Sequence, residues 1–281
     1  MSRLTALQPV EVERPELQLS GDAIRMALQA LIAGSEDQGG IERYIDAVKL
    51  KSTMFQQALA DGAVENLDLE TFKGLCTFMA TVRRRIGNWL TGDTFPDLHE
   101  GIRELFVDTG DVDVRIRAFC ARFPDDKQHR WVRDLAVELL HNADPERVPL
   151  MNRWVWDAKA NTGVLREIWH GDDVDHIKIN VGDGYGTFLM LREELSQFLS
   201  DEGVFRDVLQ YVDMLCAQAY AHYICEQGGS YLRADFSAPE DPMQHTRRLL
   251  GLDGVRPGSG KTRLKSIDGE AFHIDDSETT N

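Results

Sequence analysis

Apolar residues recur along this chain at the spacing of a helix face, and glycine or proline interrupts the recurrence at intervals. Residues three and four apart share one side of an α-helix, so each stripe has to be buried against another element. Two stripes run longest. One carries Ile41, Tyr44, Ile45, Val48, Phe55 and Leu59, with Gly62 placed to end it. The other carries Phe72, Leu75, Cys76, Met79, Val82, Ile86 and Trp89, with Asp68 as its cap and Gly92 as its stop. The spacing predicts one unbroken helix for each.

Shorter stripes follow the same rule. Ile24, Leu28, Leu31 and Ile32 sit behind Ser20 or Asp22, either of which can cap a helix. Leu98, Ile102, Leu105 and Phe106 follow Pro96, which suits a first turn. Residues 112–123 alternate at first like a strand, but the longer match is helical. Pro124 opens a helix carrying Trp131, Val132, Leu135, Leu139 and Leu140. Phe188 to Leu199 form one stripe, and Phe205, Val208, Leu209, Val212, Leu215, Cys216 and Ala219 form the next. Pro242 begins a short helix with Leu249 and Leu250.

Two places read as β. Ile177, Ile179 and Val181 alternate as in a short strand, and Asp268-Gly269 suits a two-residue hairpin turn between RLKSI and EAFHI. The fold class is therefore mainly α, a multi-helix globular bundle of about ten helices with at most a small β element.

Residues 1–19 lack a helical period and carry Pro9 and Pro15, which predicts an N-terminal arm laid extended along another surface or disordered. NADPERVP, at 142–149, is the best internal boundary, dividing a helical subdomain at 20–142 from a second at 143–250 packed on the first. Residues 251–281 are glycine-rich, then basic, then acidic, and read as a tail, either disordered or docked as a hairpin.

Charge narrows the partners. The 281 residues include 47 acidic and 31 basic side chains, a net charge of −16. Duplex binding draws on counterion release by Lys and Arg, and anionic membranes also attract positive charge, so nucleic acid and membrane surfaces are disfavoured. Arg83, Arg84 and Arg85 form the only tight basic run. The first twenty residues hold no apolar secretory core, and no window approaches the apolar length of a membrane span. Cys76, Cys120, Cys216 and Cys225 form no CxxC pair and lie in helical stripes. A cytoplasmic setting with reduced thiols is the expectation.

Several motifs touch on chemistry. GSGKT, at 258–262, resembles the end of a phosphate-binding loop, but Val255 stands where the first glycine belongs. Gly182, Gly184 and Gly186 precede a helix, yet Asp183 would repel phosphate and the spacing is not that of a dinucleotide site. Glu138 and His141, and Glu167 and His170, are two Glu-x-x-His pairs of the kind that hold dinuclear metal in bundles. The stripe places Glu138 and His141 on a solvated face with Arg133 and Asp134, and Leu165, Ile168 and Trp169 turn Glu167 and His170 outward. Asp172, Asp173, Asp175 and His176 add a run of ligand-type side chains without the spacing of a named site. His222 and Cys225 are three apart on a helix and read as filler.

Trp131, Trp154, Trp156 and Trp169 cluster in sequence. Trp154 and Trp156 cannot both enter one core from a single helix, so one is expected at a surface or partner contact. The contact region expected is 151–176, with the C-terminal tail as a second arm, and the binding residues expected are Trp154, Trp156, Trp169 and Tyr185. The function expected is that of a cytosolic accessory or regulatory protein binding a protein with a basic surface, with self-association compatible and no cofactor. The alternative is a helical metal-dependent enzyme using Glu138, His141, Glu167 and His170, or Asp173 and His176, around a divalent or dinuclear metal.

Overall fold

The structure is a computed structural model. It describes residues 14–37, 39–107, 110–171, 177–227, 243–253, 261–265 and 271–275. Among the described residues ten α-helices appear: α1 (Gly21–Glu36), α2 (Glu42–Leu59), α3 (Leu69–Thr77), α4 (Phe95–Phe106), α5 (Val112–Cys120), α6 (Trp131–Ala143), α7 (Val164–Glu167), α8 (Tyr185–Asp201), α9 (Val208–Gln227) and α10 (Gln244–Leu249). The fold is mainly α, as the periodicity requires. No helix among the described residues is long and apolar enough to cross a membrane.

Helix starts follow their caps. The Ser20, Asp68 and Asp111 side chains accept from the amides of Ala23, Thr71 and Val114, opening α1, α3 and α5. Pro96 lies in the first turn of α4. The buried apolar residues form one cluster from Ile24 to Leu252 that passes across the 143–149 turn. Two helices organise it. α6 packs against α2, α4 and α5, and α9 packs against α1, α2, α7, α8 and α10.

The ends of the body are tied down through backbone. The Ser20 amide donates to Ile168 and the His170 amide donates to Gln18, so the end of the N-terminal arm lies along 168–170. At the other end Met243, Leu250 and Leu252 are buried, so the packed body runs through Asp253 rather than stopping at Leu250. Leu252 donates to the Arg247 carbonyl and Gly251 to the Arg248 carbonyl, with Gly251 at φ +72. This is a Schellman end, in which a left-handed residue closes the helix. A Cβ on Gly251 would collide with the Phe78 carbonyl oxygen.

That close approach explains a departure from the sequence pattern. The stripe from Phe72 to Ile86 is buried as expected, but α3 ends at Thr77 and the chain continues in turns to a 3₁₀ segment at Ile86–Trp89. Arg83 donates to the Thr77 carbonyl, which a continuing helix would need, and grips Asp253 with both terminal nitrogens. The docked C-terminal segment thus sits where helical backbone would have run. Helix α6 also starts later than Pro124, at Trp131, because Asp126 accepts from the amides of Gln128 and His129 and holds a local turn.

The strand predicted at 177–181 does not form: this segment pairs with no strand among the described residues. Asn161 takes the place of a neighbouring strand, its amide donating to the Ile177 carbonyl and its oxygen accepting from the Ile179 amide. A two-stranded antiparallel ladder does form, between β1 (Lys261–Lys265) and β2 (Ala271–Asp275), with Lys261 opposite Asp275 and Lys265 opposite Ala271. The Asp268-Gly269 turn lies outside the described residues. Lys261 and Thr262 of GSGKT begin a strand, not the helix that a phosphate loop needs.

Gly251→Ala should lower stability by at least ~2 kcal/mol, through the positive φ and the clash with backbone together. Gly62→Ala, at φ +84 but with open space around its Cβ position, should cost only about 1 kcal/mol. Denaturant midpoints of the two variants check the difference.

Candidate functional site

Twelve of the thirteen residues of α6 are buried, and Arg133 is the exception. The apolar stripe accounts for only part of this. Asp134, Glu138, His141 and Asn142 are also inside, so the expectation that Glu138 and His141 face solvent is corrected. The pattern was read as one apolar face against water. In fact neighbours cover the helix on every side, and polar partners come from those neighbours.

Each partner is specific. Glu138, 1% exposed, accepts from Lys51 Nζ at 3.0 Å, Asn142 Nδ2 at 3.1 Å and Asn152 Nδ2 at 3.0 Å. Lys51 also donates to the Leu250 carbonyl at 3.0 Å, which ties the C-terminal segment to α2 and α6. His141 meets the Val148 carbonyl at Nδ1, 2.9 Å, and Asp213 Oδ2 at Nε2, 3.1 Å. A carbonyl and a carboxylate can only accept, so both ring nitrogens donate and the ring is held as imidazolium. Burial, the largest influence on His141, pushes its pKa down, but Asp213, the Val148 carbonyl and Glu138 together carry it above the ordinary histidine value. Asn152 Oδ1 is buried without a hydrogen-bond partner among the described residues.

The segment after α6 is wrapped into the body rather than helical, and this corrects the tryptophan expectation. Trp154 and Trp156 are both buried, at 6% and 0% exposure. An irregular backbone is not bound to the angular spacing of a helix, so side chains two apart can both point inward. Trp156 Nε1 donates to the Val181 carbonyl, and the Trp154 ring lies 5.8 Å from Tyr220. Arg153 holds Asp134 and Arg130 holds Asp157, clamping the segment to the N-terminal end of α6. Trp169 is half-buried under the arm, beside Leu19. Tyr185 is half-buried and donates its hydroxyl to the Arg147 carbonyl at 2.7 Å.

The remaining predicted residues are placed differently. Glu167 is half-buried on α7 and His170 is exposed, with its backbone amide on Gln18. Asp172, Asp173, Asp175 and His176 lie outside the described residues. Among the described residues no three His, Cys, Asp or Glu side chains gather where they could hold a metal ion. At the glycine stretch the Tyr185 amide, at the start of α8, already donates to both oxygens of Asp113 at 3.0 and 2.9 Å. Burial raises the Asp113 pKa more than this amide lowers it. A carboxylate from α5 occupies the place that a phosphate would take.

The accessible site is elsewhere, on one face of α2. Glu42, Ile45, Asp46, Lys49, Ser52, Thr53 and Gln56 line two clefts that meet at Asp207. One, of about 330 Å³, runs under Gly203 to Tyr211, and the other, of about 710 Å³, lies between Asp144–Glu146 and the start of α9. Phe205, which lines the first of them, is 78% exposed. The periodic pattern assigned Phe205 to the core, but α9 starts only at Val208 and leaves it on the preceding loop. Asp207 holds that loop at φ +55, unusual for a residue with a side chain, and is fixed by Lys49 at 2.6 Å and by the Tyr211 amide on its carbonyl. Burial raises the Tyr211 pKa first, and the Glu42 and Asp207 carboxylates raise it further. No local signal in the sequence marks this loop except Gly203 and Asp207 on either side of a lone phenylalanine.

The chain matches no family model, no curated protein and no solved structure.

Lys51→Met should cost about 3–5 kcal/mol, since it strands the Glu138 charge inside. Adding Glu138→Gln should recover at least ~1 kcal/mol, and a double-mutant cycle in denaturant reads both. His141 adds a pH signature. Its folded pKa is raised, so its stabilisation is complete below the unfolded value near 6.5 and is lost as pH climbs through the folded value. The stability gap between the parent and His141→Gln should therefore be widest at acid pH and narrow as pH rises above the unfolded value.

Proposed function

We propose that this chain is an accessory or regulatory protein that acts by binding a protein partner with a basic surface. The observation that supports this best is Phe205, exposed on a strained and anchored loop that lines a cleft on an acidic molecule. A large aromatic side chain left in water is costly, and exposed aromatic anchors are enriched where proteins dock. The loop is held by an ion pair and by the first turn of α9, so it is presented rather than trailing. The net charge of −16 would steer a basic partner from a distance.

The interior polar groups fit a supporting part in the same proposal. Glu138, His141, Lys51 and Asp213 each spend their hydrogen bonds on other residues of the body. A cytoplasmic setting belongs to the proposal too, and the Cys76 and Cys216 thiols, with pKa values pushed up by burial, suit the role of inert filler.

Purification of the full chain from its own cells, followed by native mass spectrometry, tests this. A basic protein should co-purify in simple stoichiometry at low salt and dissociate at high salt. Recovery of a lone monomer under both conditions refutes the proposal.

A further inference from the structure

We infer that the face of α2 between Glu42 and Gln56, with the loop that carries Phe205, is a groove for a basic amphipathic helix of a partner protein. The inference rests on the partner-binding proposal above and assigns its place and the shape of its ligand. The α2 side chains that line the two clefts fall at one helical face, and from Glu42 to Gln56 they span about 21 Å, or roughly four turns. The two clefts share Asp207 and follow one another along α2 as a trough, with Phe205 lining the end beside Glu42, Ile45 and Asp46.

Charge selects the occupant. The lining holds the carboxylates of Glu42, Asp46, Asp144, Glu146 and Asp207 against the cations of Lys49 and Arg206. Lys49 is spent on Asp207, and Asp144 is shared with Arg147. Glu42 and Asp46 at one end and Glu146 at the other are exposed and make no ion pair among the described residues. A partner with Lys or Arg toward both ends and an apolar side chain between them complements this arrangement.

Backbone chemistry selects the shape. An extended segment gains affinity by hydrogen-bonding to an open strand edge. No strand edge lines either cleft: α2 faces the loop at 203–207, the turn at 144–146 and the start of α9. With no strand edge to extend, a helix, which satisfies its own backbone and is recognised mainly through side chains, is the ligand that fits here.

The test uses a synthetic helical peptide of Lys and Leu, roughly four turns long, with leucines on one face. A scrambled peptide of the same composition is the control. Binding is read by fluorescence anisotropy on the full chain. The ordered peptide should bind at least about tenfold more tightly than the scrambled one. Phe205→Ala, at an exposed position that leaves the melting temperature unchanged, should weaken binding about tenfold, and Glu42→Lys with Asp46→Lys should weaken it further. Asp93→Lys with Asp125→Lys carries the same charge change away from the groove and should stay within about twofold. Equal losses in the two double variants, or equal binding of the two peptides, overturn the groove while leaving a basic partner in place. No binding of either peptide to the parent chain overturns the groove and counts against the basic-partner proposal as well.

Discussion

Two buried ion pairs on neighbouring turns of α6 set the terms on which the other helices pack. Lys51 of α2 meets Glu138, and Asp213 of α9 meets His141. Taking four charged groups out of water costs several kcal/mol for each ion, and their attraction does little more than offset that loss. The stabilisation of the body comes from its apolar cluster. The pairs act through the alternatives they penalise. If α6 turned or slid by one residue, buried charges would lose their partners, whereas the apolar side chains around them would tolerate the shift with smaller losses. The arrangement of α2, α6 and α9 is therefore specified by polar groups and made stable by apolar ones.

The same division shows at the surface. The loop before α9 pays for an unusual backbone at Asp207, and Lys49 of α2 holds it there. Since α2 also provides Lys51 to the interior, one helix carries a buried cation on one face and an anchored trough on another. The lining of the trough is consequently tied to the rigid centre of the molecule, and little reorganisation is needed before something docks there.

Much of the fold was legible from periodicity. The stripes on α1, α2, α4, α5, α8 and α9 reappear as largely buried faces, with Ile32 of α1 left exposed, and Ser20, Asp68 and Asp111 cap as short polar residues do. What escaped depends on contacts distant in sequence. The end of α3 at Thr77 is dictated by Arg83, Asp253 and Gly251, and nothing near Thr77 announces it. The burial of Glu138 and His141 depends on Lys51 and Asp213, each more than seventy positions away. Amphipathic patterning treats a polar side chain as a marker of solvent and so cannot recognise a polar interior. Trp154 and Trp156 escape helical reasoning because their segment is irregular. Phe205 escapes it because the helix begins one turn after the apolar stripe does.

The Schellman end at Gly251 has a consequence for the order of events during synthesis. Leu250 provides the carbonyl that Lys51 needs, and Leu252 fills the cluster from below the Phe78 backbone. A ribosome releases α2 and α6 long before either residue emerges. Through that interval the nascent body has an open seam beside a half-satisfied ammonium, so the first moment at which it can close is when residues 243–253 arrive.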